Sequence, residues 1–180
     1  MLKFIVSNDQ SMSIENETIA LAKAVGLRLQ EHGWLLATAE SCTGGGIAQA
    51  ITEIPGSSAW FDRGFVTYSN AAKIQMLGVK AETIEQYGAV SAETAREMTG
   101  GALDYSRADW AIAVTGIAGP DGGTPTKSVG TVYIAWQRRG ETAEIRLLSF
   151  SGGRHEIRTA TIKAALAEWL TIEKQHGGEV

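Results

Sequence analysis

The sequence predicts a three-layer α/β/α fold built on a mixed sheet of about five strands. Apolar runs of strand length alternate with stretches whose apolar residues recur at helical spacing. The last two strand-like runs, Val129–Gln137 and Thr142–Phe150, are joined by Arg138-Arg139-Gly140-Glu141, which makes them an antiparallel hairpin. Polar segments follow three of the strands, the position where α/β folds gather ligands. With 180 residues, no internal repeat and no low-complexity linker, the chain is expected to form one domain over 1–180.

Residues 1–13 are expected to be a loose N-terminal segment, because Ser7–Ser13 is largely polar. A helix follows from about Glu15 to Glu31: Ile19, Ala22, Val25 and Leu29 share one face, and Gly33 stops it. Trp34–Ala37 is a short buried strand, and after a polar turn Ile47 opens a helix to about Thr52. Ile54-Pro55-Gly56 ends that helix. Phe61–Tyr68, rich in aromatic and β-branched residues, is the second strand. Asn70 caps a helix through Leu77, with Gly78 as its stop, and a short helical piece follows near Ala81–Gln86. Ser91 is the N-cap of a longer helix to about Tyr105. Asp109–Thr115 is apolar almost throughout, as a strand covered on both faces should be. It runs into the glycine-rich loop Gly116–Gly123. After the hairpin, Arg154 leads into a helix from about His155 to Ile172, and residues 175–180 are expected to fray.

A net charge of −4 and the lack of any Lys/Arg-rich run argue against a nucleic-acid binder. No apolar run approaches the ~20 residues that span a membrane. Cys42 is the only cysteine, so no internal disulfide can form, and Met1–Val6 does not read as a signal peptide. A cytoplasmic protein is expected. No cluster of histidine, cysteine and carboxylates has metal-ligand spacing, and Gly116–Gly123 fits neither a Walker loop nor a dinucleotide fingerprint. Neither a metal nor a cofactor is predicted.

The candidate chemistry concentrates in Thr38-Ala39-Glu40-Ser41-Cys42-Thr43-Gly44-Gly45-Gly46. A turn between strand and helix aims backbone N–H groups over the sheet edge, and the helix N-terminus adds partial positive charge. Ser41 is the candidate nucleophile, with Cys42 as second choice; Cys42, Thr43, Gly44 and Gly45 are candidate oxyanion and substrate contacts. The plainer alternative is that Ser41 or Thr43 only caps the helix. Ser41 stands in neither a Gly-x-Ser-x-Gly elbow nor a Ser-x-x-Lys pair, since Gly44 lies three residues on. The three histidines fall at helix ends or in the tail. Lys73 is therefore the candidate base. In the first turn of a helix the macrodipole disfavours its charge, and burial would lower its pKa further. The alternative is a surface lysine. Tyr68, five residues earlier, either relays a proton or is a packing tyrosine with its hydroxyl at the rim. Thr115 is a candidate substrate or oxyanion donor, or simply a strand-end residue. Gly116 and Gly119 let the backbone come close to a ligand. Arg154, beside a helix N-terminus, is a candidate phosphate clamp or an ordinary surface arginine.

Taken together, Thr38–Gly45 (TAESCTGG), Gly64–Asn70 with Lys73 (GFVTYSN..K), Gly88–Ser91 (GAVS), Thr115–Gly123 (TGIAGPDGG) and Gly130-Thr131-Val132 resemble the CinA carboxy-terminal domain family. The resemblance is to its stand-alone, PncC-type nicotinamide-nucleotide amidases, and runs from about residue 14 to 172. It implies a CinA-like fold and hydrolysis of nicotinamide mononucleotide to nicotinate mononucleotide and ammonia by a serine–lysine mechanism, recycling the pyridine ring. By motif it places the nucleophile on Ser41, the base on Lys73, and further site residues on Tyr68, Thr115 and Arg154. It also implies a homodimer with a small nucleotide as substrate. The chain departs from the pattern at Gly123–Val129 and over its first dozen residues. Two other readings stand beside it: a catalytically inactive nucleotide-binding module, and an amidase acting on a related nucleotide.

Overall fold

The computed structural model describes residues 9–176, with side chains described over 16–175. Five strands form one sheet in the order β2-β1-β3-β4-β5. They are β1 (Leu36–Glu40), β2 (Phe61–Val66), β3 (Trp110–Gly116), β4 (Thr131–Arg138) and β5 (Glu144–Ser149). β1 pairs in parallel with both neighbours, Thr38 lying opposite Gly64 of β2 and Ile112 of β3. β3, β4 and β5 are successively antiparallel, so the C-terminal hairpin expected from the sequence closes a mixed sheet. The helices are α1 (Asp9–His32), α2 (Gly46–Thr52), α3 (Asn70–Leu77), α4 (Ala81–Tyr87), α5 (Ala92–Asp104) and α6 (Arg154–His176).

The two faces of the sheet are unlike, and strand alternation makes them so. Successive side chains point to opposite faces. Leu36, Trp110, Ile112, Val114, Val132, Ile134 and Trp136 meet α1, α2 and α6 in one buried cluster. The intervening positions carry Ala37, Ala39, Ala111, Ala113 and Ala135, which meet α5 and Leu77 of α3 in another. Small strand residues let α5 settle close to the sheet, through Ala95, Met98 and Ala102 at helical spacing. α1 and α6 are joined by Arg28, which donates to the buried Glu173 carboxylate through Nε at 3.1 Å and Nη2 at 2.7 Å.

Element types follow the sequence, and several ends differ. β1 runs three residues further than the apolar pattern suggests, through Thr38 and Glu40, and all five of its residues are buried. α3 begins at Asn70, the predicted cap, and its N-cap is Ser69, one residue earlier, whose Oγ accepts from the Ala72 amide at 3.0 Å. Residues 9–13, expected to be loose, belong to α1, and α6 continues through His176 into the segment expected to fray. The rest of both expected loose ends, 1–8 and 177–180, lies outside the described residues.

This topology gathers the site at one edge. The carboxyl ends of the parallel strands β1, β2 and β3 lead into the Ser41 turn, the Tyr68–Lys73 segment and the Gly116 loop respectively. Ligands collect at such strand ends in open α/β sheets.

Candidate active site

Ser41 follows β1 directly, and its amide donates to the Val114 carbonyl at 3.1 Å, which fixes the residue against the end of β3. Lys73 comes from α3, and its Nζ lies 3.0 Å from Ser41 Oγ while donating to the Thr67 carbonyl at 2.8 Å. The lysine is 1% exposed. Burial lowers its pKa, against a small opposing effect of Cys42. Among the described residues no carboxylate comes within ion-pair distance of it. A desolvated amine without a counter-charge, in contact with a serine hydroxyl, is equipped to take the hydroxyl's proton.

Cys42 is the less suitable nucleophile on this geometry. Burial pushes its thiol pKa up to about 11; the Glu40 carboxylate adds to the rise, and nearby amides and Lys73 only partly offset it. At neutral pH it is a thiol, and thiolate is the reactive form.

The helix after Ser41 is capped by neither Ser41 nor Thr43. Its N-cap is Gly45, in the left-handed region at φ 93°, with no side-chain bond. The carboxylate of Glu40 does this work from the end of β1, accepting from the Ile47 amide at 2.9 Å and the Ala48 amide at 2.8 Å. Thr43 turns its hydroxyl inward, donating to the same carboxylate at 2.7 Å. The Gly44 amide donates to the Ser41 carbonyl at 3.0 Å and the Gly46 amide to the Thr43 carbonyl at 3.2 Å. The amides of Cys42 and Thr43 donate to no backbone carbonyl among the described residues.

A cavity of about 250 Å³ opens beside Ser41, lined by Cys42, Tyr68, Gly116, Gly119, Asp121 and Arg154 among others. Arg154, the first residue of α6, donates to the Gly119 carbonyl at 2.8 Å and to the Tyr68 hydroxyl, so it ties the glycine loop to the segment after β2. Tyr68 is 58% exposed, at the rim of the cavity. Thr115 is buried and donates to the Ala89 carbonyl at 2.7 Å, holding the Gly88–Ser91 segment against the end of β3. Thr115, Thr43, Gly44, Gly45 and Lys73 do not line the cavity; Lys73 reaches it only through Ser41. Lys127 donates to the carbonyls of Tyr87 and Val90 and so ties the segment after the glycine loop to the end of α4 and the turn that follows it.

A larger hollow of about 470 Å³ lies at the opposite end of the strands, between Trp34, Asp109 and the β4–β5 turn. The Trp34 indole is already engaged, stacked on the His32 ring with centroids 4.1 Å apart and with the Arg138 guanidinium 4.8 Å from its ring centre. No serine or cysteine lines it.

Three residues of the site escaped the sequence reading. Glu40 carried a signal, a carboxylate at the end of an apolar run just before a glycine-ended turn. Arg158 lies one helical turn beyond Arg154 and donates to the Thr43 carbonyl at 2.8 Å. Asp121, in the cavity wall, stood in the glycine loop with nothing to single it out. Among the described residues no helix is long and apolar enough to cross a membrane, and no three His, Cys, Asp or Glu side chains group as metal ligands.

A serine paired with a buried lysine thus stands at the carboxyl ends of parallel strands in a three-layer mixed sheet. The chain belongs to the CinA family: the model of the CinA C-terminal domain matches residues 18–172. It is 50% identical over 152 residues to nicotinamide-nucleotide amidohydrolase PncC of Escherichia coli (strain K12), covering 84% of this chain and 92% of that protein. To the Pseudomonas putida protein of the same name it is 51% identical over 152 residues, covering 84% and 94%. Among solved structures, the competence/damage inducible protein CihA from Agrobacterium tumefaciens superposes with a TM-score of 0.85 at 48% identity, covering 87% of this chain and 96% of that one.

Proposed function

We propose that this protein is a nicotinamide-nucleotide amidohydrolase, converting nicotinamide mononucleotide and water to nicotinate mononucleotide and ammonia. The observation that carries the mechanism is the 3.0 Å approach of the buried Lys73 amine to Ser41 Oγ. The names and high identity of the relatives support the substrate. Neutral Lys73 accepts the Ser41 proton as Oγ attacks the carboxamide carbon. The Cys42 amide, in the cavity wall, receives the oxyanion, a type of contact worth about 2.7–4 kcal/mol per donor in other hydrolases. The C–N bond breaks as Lys73 returns the proton to the leaving nitrogen. Water, deprotonated in turn by Lys73, then cleaves the acyl-enzyme. Arg154 and the backbone of Gly116–Gly122 hold the ribose phosphate, and Tyr68 keeps Arg154 in place. We further take the protein to act in the cytoplasm as a homodimer, on the family resemblance; sedimentation measures the second.

The test is ammonia release from nicotinamide mononucleotide by the wild type and by Ser41→Ala. The variant is expected to lose turnover by roughly 10³-fold or more while still binding the nucleotide. Near-normal turnover in Ser41→Ala would remove the serine from the mechanism. Arg154→Ala is expected chiefly to raise KM; an unchanged KM would take Arg154 off the phosphate.

A further inference from the structure

The turn that carries Ser41 is gripped from two sides by residues outside the Ser–Lys pair. Glu40 is 1% exposed, and both its oxygens are filled. Oε2 accepts from the Thr43 hydroxyl at 2.7 Å and the Ile47 amide at 2.9 Å; Oε1 accepts from the Ala48 amide at 2.8 Å and the Thr38 hydroxyl at 3.3 Å. From the α6 side, Arg158 Nη2 donates at 2.8 Å to the Thr43 carbonyl, while its Nε is buried with no acceptor among the described residues.

We propose that Glu40 and Arg158 are positioning residues that hold the Cys42–Gly45 turn in its oxyanion-binding conformation; the proposal rests on the amidohydrolase reading above. A fold that needed only a capped α2 would be served by a serine or threonine at the N-cap, without burying a carboxylate. That option is closed here because Gly45 sits at φ 93°, where a side chain is strained. Glu40 therefore caps the helix from beneath the turn. By also binding the Thr43 hydroxyl it closes a loop of contacts around Ser41 and Cys42. Arg158 adds a second donor, beside the Gly46 amide, to the Thr43 carbonyl, and so helps to fix the plane of the Thr43–Gly44 peptide, which Glu40 does not reach. Its buried Nε–H finds no acceptor among the described residues, which costs stability. An apolar side chain of similar length would avoid that loss, which argues that the guanidinium is there for the direction of the turn.

The experiment compares Arg158→Met, Arg158→Lys, Thr43→Val and Glu40→Gln with the wild type. It reads kcat and KM for ammonia release, thermal melting by circular dichroism, and the rate at which a fluorophosphonate labels Ser41. In that labelling the Oγ–P bond forms, the P–F bond breaks and fluoride leaves, while Lys73 takes the serine proton. The phosphonyl oxygen calls on the same turn amide as the substrate oxyanion. Arg158→Met is expected to melt at or near the wild-type temperature, yet lose roughly 10–100-fold in kcat and in labelling rate. Its KM should stay within about two-fold. Arg158→Lys should recover part of the loss, and Thr43→Val should follow the same kcat pattern even if Glu40→Gln fails to fold. Wild-type kcat and labelling in Arg158→Met and Thr43→Val would overturn the proposal, as would losses that merely track melting. If the wild type releases no ammonia but these variants still label slowly, the substrate reading fails and the positioning role stands. If ammonia is released and the variants are unaffected, the reverse holds. A wild type that neither turns over nor labels at Ser41 would overturn both.

Discussion

An amine buried against Ser41, Cys42 and the Thr67 carbonyl, with no carboxylate within ion-pair distance among the described residues, sets reactivity against stability at a single residue. The unfolded lysine titrates near ~10.4, and in the folded chain burial lowers that value. Between the two pKa values the unfolded chain holds more protons, so folding stability rises with pH across that window. Below the folded pKa the full penalty stands. Lys73→Met is therefore expected to cut turnover by roughly 10²–10⁴-fold and to stabilise the fold at neutral pH. The gain should shrink as the pH climbs toward the ordinary lysine value. Urea unfolding of both proteins at two pH values measures it, and a loss of stability in Lys73→Met would contradict the account. For the wild type, kcat/KM should rise with pH on an acid limb lying below the normal lysine range. The candidacy of Lys73 was legible in the sequence by elimination, since no histidine falls near Ser41. The places of Glu40 and Arg158 were not, because their meaning lies in contacts to the Thr43 hydroxyl and carbonyl that no spacing encodes.

At the scale of the element, α5 carries two adjacent glycines with opposite duties. A Cβ at Gly101 would lie 1.9 Å from the Leu77 carbonyl oxygen of α3, whereas one at Gly100 meets nothing within 4 Å. Gly101→Ala is expected to destabilise by about 1–3 kcal/mol or more through overpacking. Gly100→Ala is expected to gain about 0.5–1 kcal/mol, the ordinary preference for alanine within a helix. Chemical denaturation of the two variants distinguishes them, and equal effects would refute the close α3–α5 contact. Sequence periodicity shows that α5 exists, and Ser91 announces its cap, with Oγ accepting from the Thr94 amide at 3.1 Å. It does not say which of two neighbouring glycines faces a carbonyl. Likewise β1 was legible only over its apolar part. Thr38 and Glu40 look like turn residues until the bond between them, and the partners of Glu40 on α2 and in the turn, are known.

At the scale of the molecule, one sheet is shared by two helical layers, with β3 at its centre almost wholly buried. Neither layer has a strand of its own to keep if the other departs. Heat is therefore expected to unfold the chain in a single calorimetric transition, with an enthalpy on the order of 120 kcal/mol near 60 °C. Two resolved transitions would mean that the layers part separately. The order of strands was only partly readable. A terminal hairpin and a central apolar strand are local patterns, but the placement of β2 outside β1 depends on which crossovers pack.

The unlike faces of the sheet also decide what light can report. Trp60, Trp110, Trp136 and Trp169 are buried in the cluster beneath α1, α2 and α6, and Trp34, the last of the five tryptophans, packs against it. The cluster beneath α5 contains none. Indole emission from this protein therefore follows one side of the sheet alone. A variant that loosened α5 would leave the emission maximum where it was, and only an amide-based signal would register the change.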